Sequence, residues 1–143
     1  MVAKTFEIDF SDGFWIEEQI ERLAKRAGVY SVHTCVYNAA KDVVDLRRLI
    51  YLGEAKNVNE RVAAHEKWPT WRGYRQTGEI LCFASAGWGD EERERIEAAL
   101  IYEHKPPANE EYKNSFPFDE TTIYSKGKKG LLTDSLTVRR TSW

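Results

Sequence analysis

In the first half of the chain, the pattern of hydrophobic and polar residues predicts one helix followed by the two strands of a long hairpin. In residues 15–26 the apolar positions recur at helical spacing, and Gly28 follows, so this stretch predicts an amphipathic helix. Residues 29–37 are mostly β-branched or aromatic, which predicts a strand. The polar stretch 38–42 predicts a turn, and residues 43–52 predict the returning antiparallel strand.

The middle of the chain predicts a helix and a third strand. Asn57 and Asn59 are both suitable N-caps for this helix, which is expected to end before Pro69. Residues 80–85 are again apolar and β-forming, which predicts the third strand.

A last helix is predicted to begin at Asp90 as the N-cap and to end before Pro106-Pro107. Its apolar face is Ile96, Ala99, Leu100 and Ile101. Beyond Asn109 the pattern weakens, and residues 121–124 and 136–138 predict short strands around a turn rich in glycine and lysine.

These elements predict one α/β (α+β) domain over residues 1–143, with terminal extensions around a core. The order is helix, two hairpin strands, helix, strand and helix. Because the strands are few and linked by a hairpin, we expect a small, mainly antiparallel three-stranded sheet flanked by helices.

Composition narrows the class of protein. The chain has 143 residues and a net charge of −2, and it lacks an apolar run near the roughly 20 residues that a membrane helix needs. Residues 1–10 alternate polar and apolar side chains, unlike a signal peptide. Cys35 and Cys82 lie in apolar runs without metal-ligand spacing, which predicts reduced, buried thiols in a cytoplasmic protein with no membrane partner.

Polar residues stand at positions that the core pattern does not explain. Tyr30 opens the first hairpin strand and Tyr51 closes the second, so the two are expected to be neighbours. Arg61 and His65 are four residues apart on a predicted helix and are expected to share a face. Glu97 lies in an otherwise apolar helical stretch. Taken singly, these residues also suit packed strand positions or solvated helix faces.

Three ordered motifs resemble the GIY-YIG nuclease superfamily. Gly28-Val29-Tyr30 and Tyr51-Leu52-Gly53 resemble its two signature tripeptides. The stretch 50–62 is similar to the excision-repair (UvrC-type) nuclease domain, including alanine-lysine and an arginine ten residues after the tyrosine. The stretch 97–109 resembles the family's glutamate helix, basic-proline turn and closing asparagine, so the resemblance covers about residues 27–110.

The resemblance implies catalytic roles for five residues. Tyr30 matches a proposed base or nucleophile-positioning group, and Tyr51 supports it in the site. Arg61 matches the arginine that holds the scissile phosphate. Glu97 matches the only carboxylate that ligates one Mg²⁺ (or Mn²⁺) ion. His65 is an alternative base, and the residues alone do not rank it against Tyr30.

Other family positions have structural roles. The resemblance implies that Gly28 and Gly53 shape the two motifs and that Asn109 fixes the loop after the last helix. Cationic charge from Arg61 or a metal is expected to lower the pKa of a catalytic tyrosine. Glu54 stands where the repair nucleases carry a lysine, and it is expected either to weaken phosphate attraction or to add a metal contact.

Basic and aromatic residues alternate in 67–75, directly after the Arg61 helix. Basic side chains attract phosphates and aromatic rings stack on unpaired bases, so this segment predicts nucleic-acid binding. The predicted contacts are Lys56, Lys67, Trp71, Arg72 and Arg75. Alternatively, the tryptophans cover the core and the arginines are solvated.

The expected function is metal-dependent hydrolysis of DNA phosphodiester bonds, with RNA also open as substrate. The alternative is a catalytically silent domain that binds nucleic acid or protein, which the acidic net charge favours. Either role is compatible with a homodimer or with a partner protein that supplies targeting.

Overall fold

The computed structural model describes residues 2–89 and 91–142. Its strands are β1 (Lys4–Phe10), β2 (Trp15–Ile16), β3 (Gly28–Asn38), β4 (Val43–Ala55), β5 (Ile80–Gly87), β6 (Thr121–Gly127) and β7 (Ser135–Val138). Its α-helices are α1 (Val58–Ala63), α2 (Trp68–Gly73) and α3 (Arg93–His104), and a 3-10 helix spans Glu17–Arg22. In the described residues no helix has the length and apolar character needed to cross a membrane.

The mixed α/β class is confirmed, but the predicted sheet is wrong in its number of strands. The larger sheet has four strands in the order β2-β5-β3-β4, all antiparallel. A separate three-stranded sheet has the order β1-β6-β7, with β1 parallel to β6. The first of its strands was not predicted, although Phe6, Ile8 and Phe10 alternate with exposed residues and point into the core.

The predicted helix over residues 15–26 is also wrong. Trp15 and Ile16 pair with Phe83 and Cys82 as an edge strand, and only a 3-10 helix follows. Sheet pairing outweighs the helical spacing here, because Ile16 gains burial and backbone hydrogen bonds against β5.

The hairpin, the third strand, the last helix and the two short C-terminal strands are confirmed with small shifts. The middle helix was predicted to end before Pro69, but α1 ends at Ala63, and the unpredicted helix α2 contains Pro69. Asn57 caps α1 by accepting a hydrogen bond from the Glu60 N–H, while Asn59 instead donates to the Glu21 and Leu23 carbonyls. Asp90, the expected N-cap of the last helix, lies outside the described residues. Both cysteines are buried and free.

β3 is one of the two inner strands and is buried along most of its length, because both faces of the larger sheet are covered. One face, with Tyr30, Val32 and Phe83, packs under α1 and α2. The opposite face, which includes Val29 and Leu52, packs against α3 and the smaller sheet. The candidate site lies where β3 begins and β4 ends.

Candidate functional site

The two signature tyrosines meet on one face of the larger sheet. Their ring centroids are 6.2 Å apart, which confirms the predicted proximity. Tyr30 pairs across the hairpin with Gly53, and Tyr51 pairs with Val32. A β-bulge leaves Ile50 without a partner residue, so Ile50 and Tyr51 both contact the cluster under α1 and α2.

The motif glycines allow close approaches at this end of the hairpin. A Cβ on Gly28 would lie 2.1 Å from the Ala86 carbonyl oxygen of β5. A Cβ on Gly53 would lie 2.4 Å from the Cζ and hydroxyl oxygen of Tyr30. Gly53 therefore supplies the space in which the buried Tyr30 ring lies.

Gly53→Ala is expected to lower the free energy of unfolding by about 1–3 kcal/mol, because the buried Tyr30 ring has little room to move. Displacing this ring should also disturb its pairing with Tyr51. Gly73→Ala is the matched control, since a Cβ there meets nothing within 4 Å at the end of α2. Urea unfolding checks both variants, and equal stability of Gly53→Ala and wild type would contradict the close contact.

Arg61 and His65 do not share a helix face as predicted. α1 ends at Ala63, and the chain turns, so Arg61 is exposed while the His65 side chain is only 1% exposed. The His65 ring contacts Tyr51 and Trp71 at centroid distances of 5.4 and 4.6 Å. Both residues still lie beside the tyrosines, but one faces solvent and the other closes the base of the site.

His65 is neutral, but it is disfavoured as the base in this conformation because its unprotonated ring nitrogen is already occupied. Its Nδ1 accepts a hydrogen bond from the Lys67 N–H at 3.0 Å, so Nε2 carries the ring proton. Burial, reinforced by Arg61, lowers the pKa of His65 to about 4. Nε2 is buried and has no hydrogen-bond partner among the described residues, which leaves a donor available inside the site.

The expected lowering of the tyrosine pKa values by Arg61 is present, but burial outweighs it. Burial, then the neighbouring Tyr51, raises the pKa of Tyr30 far above its usual range. Burial and then Glu97 raise the pKa of Tyr51 to about 12. Arg61 lowers both values, but it is exposed and its effect is smaller than that of burial.

Glu97 and Asn109 both lie against the outer edge of β4. Asn109 accepts from the Leu52 N–H at 3.0 Å and donates to the Leu52 carbonyl at 2.9 Å, so its side chain acts like a strand partner. Two residues further, the Glu54 backbone hydrogen-bonds to Glu97. The predicted fixing role of Asn109 thus has a direct physical basis, and the same edge positions the carboxylate.

Glu97 is half-buried in an acidic environment. Burial, followed by the charges of Glu54, Glu94 and Glu111, raises the pKa of Glu97 to about 8. The Glu54 carboxylate also pairs with Arg93 at 3.2 Å. This negative potential opposes a second anion and favours a cation.

A single-carboxylate ion site is compatible with these residues. The described residues contain no group of three or more His, Cys, Asp or Glu side chains suited to a metal. A Mg²⁺-class ion accepts one protein carboxylate, with water and substrate oxygens as its other ligands. Glu97 and the surrounding negative charge therefore fit such an ion.

The predicted stacking role of Trp71 is wrong. Trp71 is fully buried, with ring contacts to Tyr51, Trp68 and Phe83, so the alternative that it covers the core is confirmed. Arg72 lies over the Trp68 ring, 4.9 Å from its centroid. Both Arg72 and Arg75 face the Glu17 carboxylate, at 4.0 and 3.4 Å.

The basic residues nearest the site remain accessible. Lys56 is exposed and lines an open cavity of about 440 Å³ together with Arg61 and Glu60. Lys67 is half-buried at the start of α2. Glu54 also lines this cavity, so the lining carries two acidic and two basic side chains.

Sequence reasoning missed Glu66, the residue in closest contact with Arg61. The two side chains form a bidentate ion pair with distances of 2.9 and 3.1 Å. A spacing of five residues is not a helix-face spacing, so no periodic pattern indicates the pair. Only the end of α1 at Ala63 brings Glu66 back to Arg61.

Comparison with known proteins leaves the class of this chain open. No family model matches it, and no significant match is found among curated proteins or solved structures.

Proposed function

We propose that this protein is a metal-dependent endonuclease of the GIY-YIG type that hydrolyses DNA phosphodiester bonds. The observation that carries the proposal is a convergence of residues far apart in sequence. Tyr30, Tyr51 and His65 are in ring contact, and Arg61 and Glu97 both act electrostatically on the two tyrosines. These are the residues that carry the family resemblance, and their proximity supports the proposal.

Arg61 is the proposed phosphate ligand. Its planar guanidinium offers two parallel donors, which match the oxygens of a phosphodiester. Its exposed position at the cavity with Lys56 gives a strand access from solvent. Lys56 then binds a neighbouring phosphate, and this non-specific attraction supports limited sequence preference.

Glu97 is the proposed ligand of one Mg²⁺ or Mn²⁺ ion. When bound, such an ion supplies charge stabilisation to a phosphoryl oxygen and lowers the pKa of a coordinated water. Asn109 and the Glu54 backbone hold β4 and Glu97 in fixed relation, so the carboxylate is positioned before substrate arrives.

The tyrosines and His65 are proposed to position the attacking water. Tyr51 is half-exposed and Tyr30 is buried, so Tyr51 is the hydroxyl that meets solvent and substrate. His65 contributes its Nε2–H as a donor instead of accepting a proton, because Nδ1 is already bonded to the backbone. A tyrosine acts as base only if its pKa falls on substrate and cation binding.

A catalytically silent binding domain is the second candidate. It is favoured by the carboxylate that occupies Arg61 and by the raised pKa values of both tyrosines. A silent domain would bind nucleic acid or a protein partner without turnover. Glu97 would then have no effect on any chemical step.

Glu97→Gln tests the proposal. It keeps the shape of the side chain but removes the charge that holds the cation, so metal-dependent cleavage should fall at least about a thousandfold. The matched control is Glu103→Gln, which removes an exposed carboxylate about 9 Å further along α3. Cleavage of supercoiled plasmid and of branched and single-stranded oligonucleotides is measured with Mg²⁺, Mn²⁺ or EDTA.

The two candidates give opposite results in this experiment. Cleavage by wild type and Glu103→Gln, absent from Glu97→Gln and from EDTA, supports the nuclease. Absence of cleavage by folded wild type on every substrate favours the silent domain. Cleavage that persists in Glu97→Gln would contradict the assignment of the metal ligand.

A further inference from the structure

The guanidinium proposed to bind phosphate is already paired with a carboxylate of the same chain. Arg61 Nη1 donates to Glu66 Oε2 at 2.9 Å, and Nη2 donates to Oε1 at 3.1 Å. Arginine also binds a phosphate in this way, with two parallel N–H groups donating to two phosphate oxygens. Glu66 and a bidentate phosphate therefore compete for the same two nitrogens.

The position of Glu66 follows from the local fold. α1 ends at Ala63, and α2 begins at Trp68 after a short turn. The His65 ring, buried beneath this turn, accepts the Lys67 N–H through Nδ1. Because the ring fixes the backbone on both sides of Glu66, the carboxylate is held over Arg61.

Glu66 is ionised throughout the neutral pH range. Its hydrogen bond with Arg61 lowers the pKa of Glu66 to about 2, with its own backbone contributing next. The neighbouring His65 Nδ1 lies 3.7 Å away but is neutral, so Arg61 supplies the opposing charge. A change of pH near neutrality therefore does not release the arginine.

We propose that Glu66 is an intramolecular substitute for phosphate, which a nucleic-acid backbone must displace before Arg61 can bind it. This inference rests on the proposed nuclease function and adds a regulatory contact to the same site. Glu66 thereby sets a threshold: a lone anion gains little at Arg61, whereas a polyanion that also reaches Lys56 displaces the carboxylate. The preferred ligand is consequently an extended strand and not a free phosphate ion.

The exposure of the pair makes the displacement feasible. The Arg61 and Glu66 side chains are 43% and 68% exposed, and solvent screens an ion pair of this kind. The ion pair therefore contributes little binding free energy, and several phosphate contacts together exceed it. Removing the competing charge is expected to tighten DNA binding by about three- to fivefold, the range that an exposed ion pair supports.

The test is a double-mutant cycle with the full chain and a fluorescent 20-base-pair DNA duplex in EDTA, which stops cleavage. Glu66→Gln removes the competing carboxylate. Glu60→Gln is the matched control, because Glu60 is exposed on α1 and lines the same cavity as Arg61 and Lys56. Both changes alter the net charge equally, and each is repeated in an Arg61→Ala background.

Tighter binding by Glu66→Gln than by Glu60→Gln, lost in the Arg61→Ala background, is the expected result. Equal tightening by both variants would overturn the inference and leave the proposed function intact, since only general repulsion would then be relieved. A gain for Glu66→Gln that persists without Arg61 would overturn it as well. Failure of every folded variant to bind the duplex would overturn both the inference and the proposed function.

Discussion

Trp71→Ala should lower the free energy of unfolding by about 3–5 kcal/mol, the range for truncating a large buried aromatic residue. Trp71 is fully buried, and its ring lies 4.6 Å from His65, 5.3 Å from Tyr51 and 5.8 Å from Phe83 between ring centroids. Loss of the ring leaves a cavity beneath the candidate site. The same variant should therefore also lose the proposed nuclease activity, through disorder of His65 and Tyr51.

Trp71→Phe separates packing from polarity. The Trp71 Nε1 is buried and finds no hydrogen-bond partner among the described residues, so phenylalanine removes an unsatisfied donor while it keeps part of the ring volume. Trp71→Phe should consequently lower the free energy of unfolding, measured with urea, by less than Trp71→Ala does. Arg72→Ala, at an exposed neighbouring position, should change stability by no more than about 0.5 kcal/mol.

A different result would restore the surface role for Trp71. If Trp71→Ala unfolds at the same urea concentration as wild type but binds DNA weakly, the ring is accessible in solution and stacks on bases. The buried position described here predicts the reverse order, with stability lost first and binding lost as its consequence.

Acid is expected to destabilise the protein steeply below about pH 6.5, because burial lowers the pKa values of all three histidines. Burial lowers the pKa of His33 to about 3 and that of His65 to about 4. In the unfolded chain each takes up a proton near pH 6.5. The unfolded state then binds more protons, so stability falls as the pH decreases.

The size of this effect follows from the number of linked protons. Each such histidine lowers stability by up to about 1.4 kcal/mol per pH unit, until its folded pKa is reached. Glu97 acts in the opposite direction, because its raised pKa of about 8 lets the folded state bind its proton first. Its contribution is lost as the pH rises from its unfolded value near 4.5 through about 8, so the optimum for these groups is expected near pH 6.5.

Paired substitutions identify the histidines responsible. His33 accepts the Leu131 N–H through Nε2, and His65 accepts the Lys67 N–H through Nδ1. His33→Gln and His65→Asn place an amide acceptor near each atom without a titrating ring. Urea unfolding of this double variant at pH 7, 6 and 5 should show a shallower acid dependence, and an unchanged slope would contradict the assignment.

The candidate site was predictable where it depends on local pattern. The hairpin brings Tyr30 and Tyr51 together because residues 29–37 and 43–52 are strand formers separated by a turn. Glu97 was predicted to lie on a helix because the apolar residues around it have helical spacing and because Pro106 ends the helix. These inferences used only the neighbours of each residue along one element.

Other parts depended on contacts that no local pattern contains. Arg61 and His65 were assigned to one helix face, but the early end of α1 buries one and exposes the other. Trp71 looked like a surface residue beside basic neighbours, although the ring fills the space above Tyr51 and Phe83. Burial also reversed the expected direction of the tyrosine pKa shifts, because desolvation exceeds the effect of the exposed Arg61 charge.

The sequence by itself determined the hairpin, the last helix and which polar residues are candidates for the site. It could do so because strand propensity, helical spacing and proline stops act over a few residues. The tertiary structure alone decided the four-stranded sheet, the pairing of β1 with β6 and the contact of Glu66 with Arg61. Those features join segments through burial and backbone hydrogen bonds across the fold. Their energies depend on what each segment packs against, which the residues of one segment do not specify.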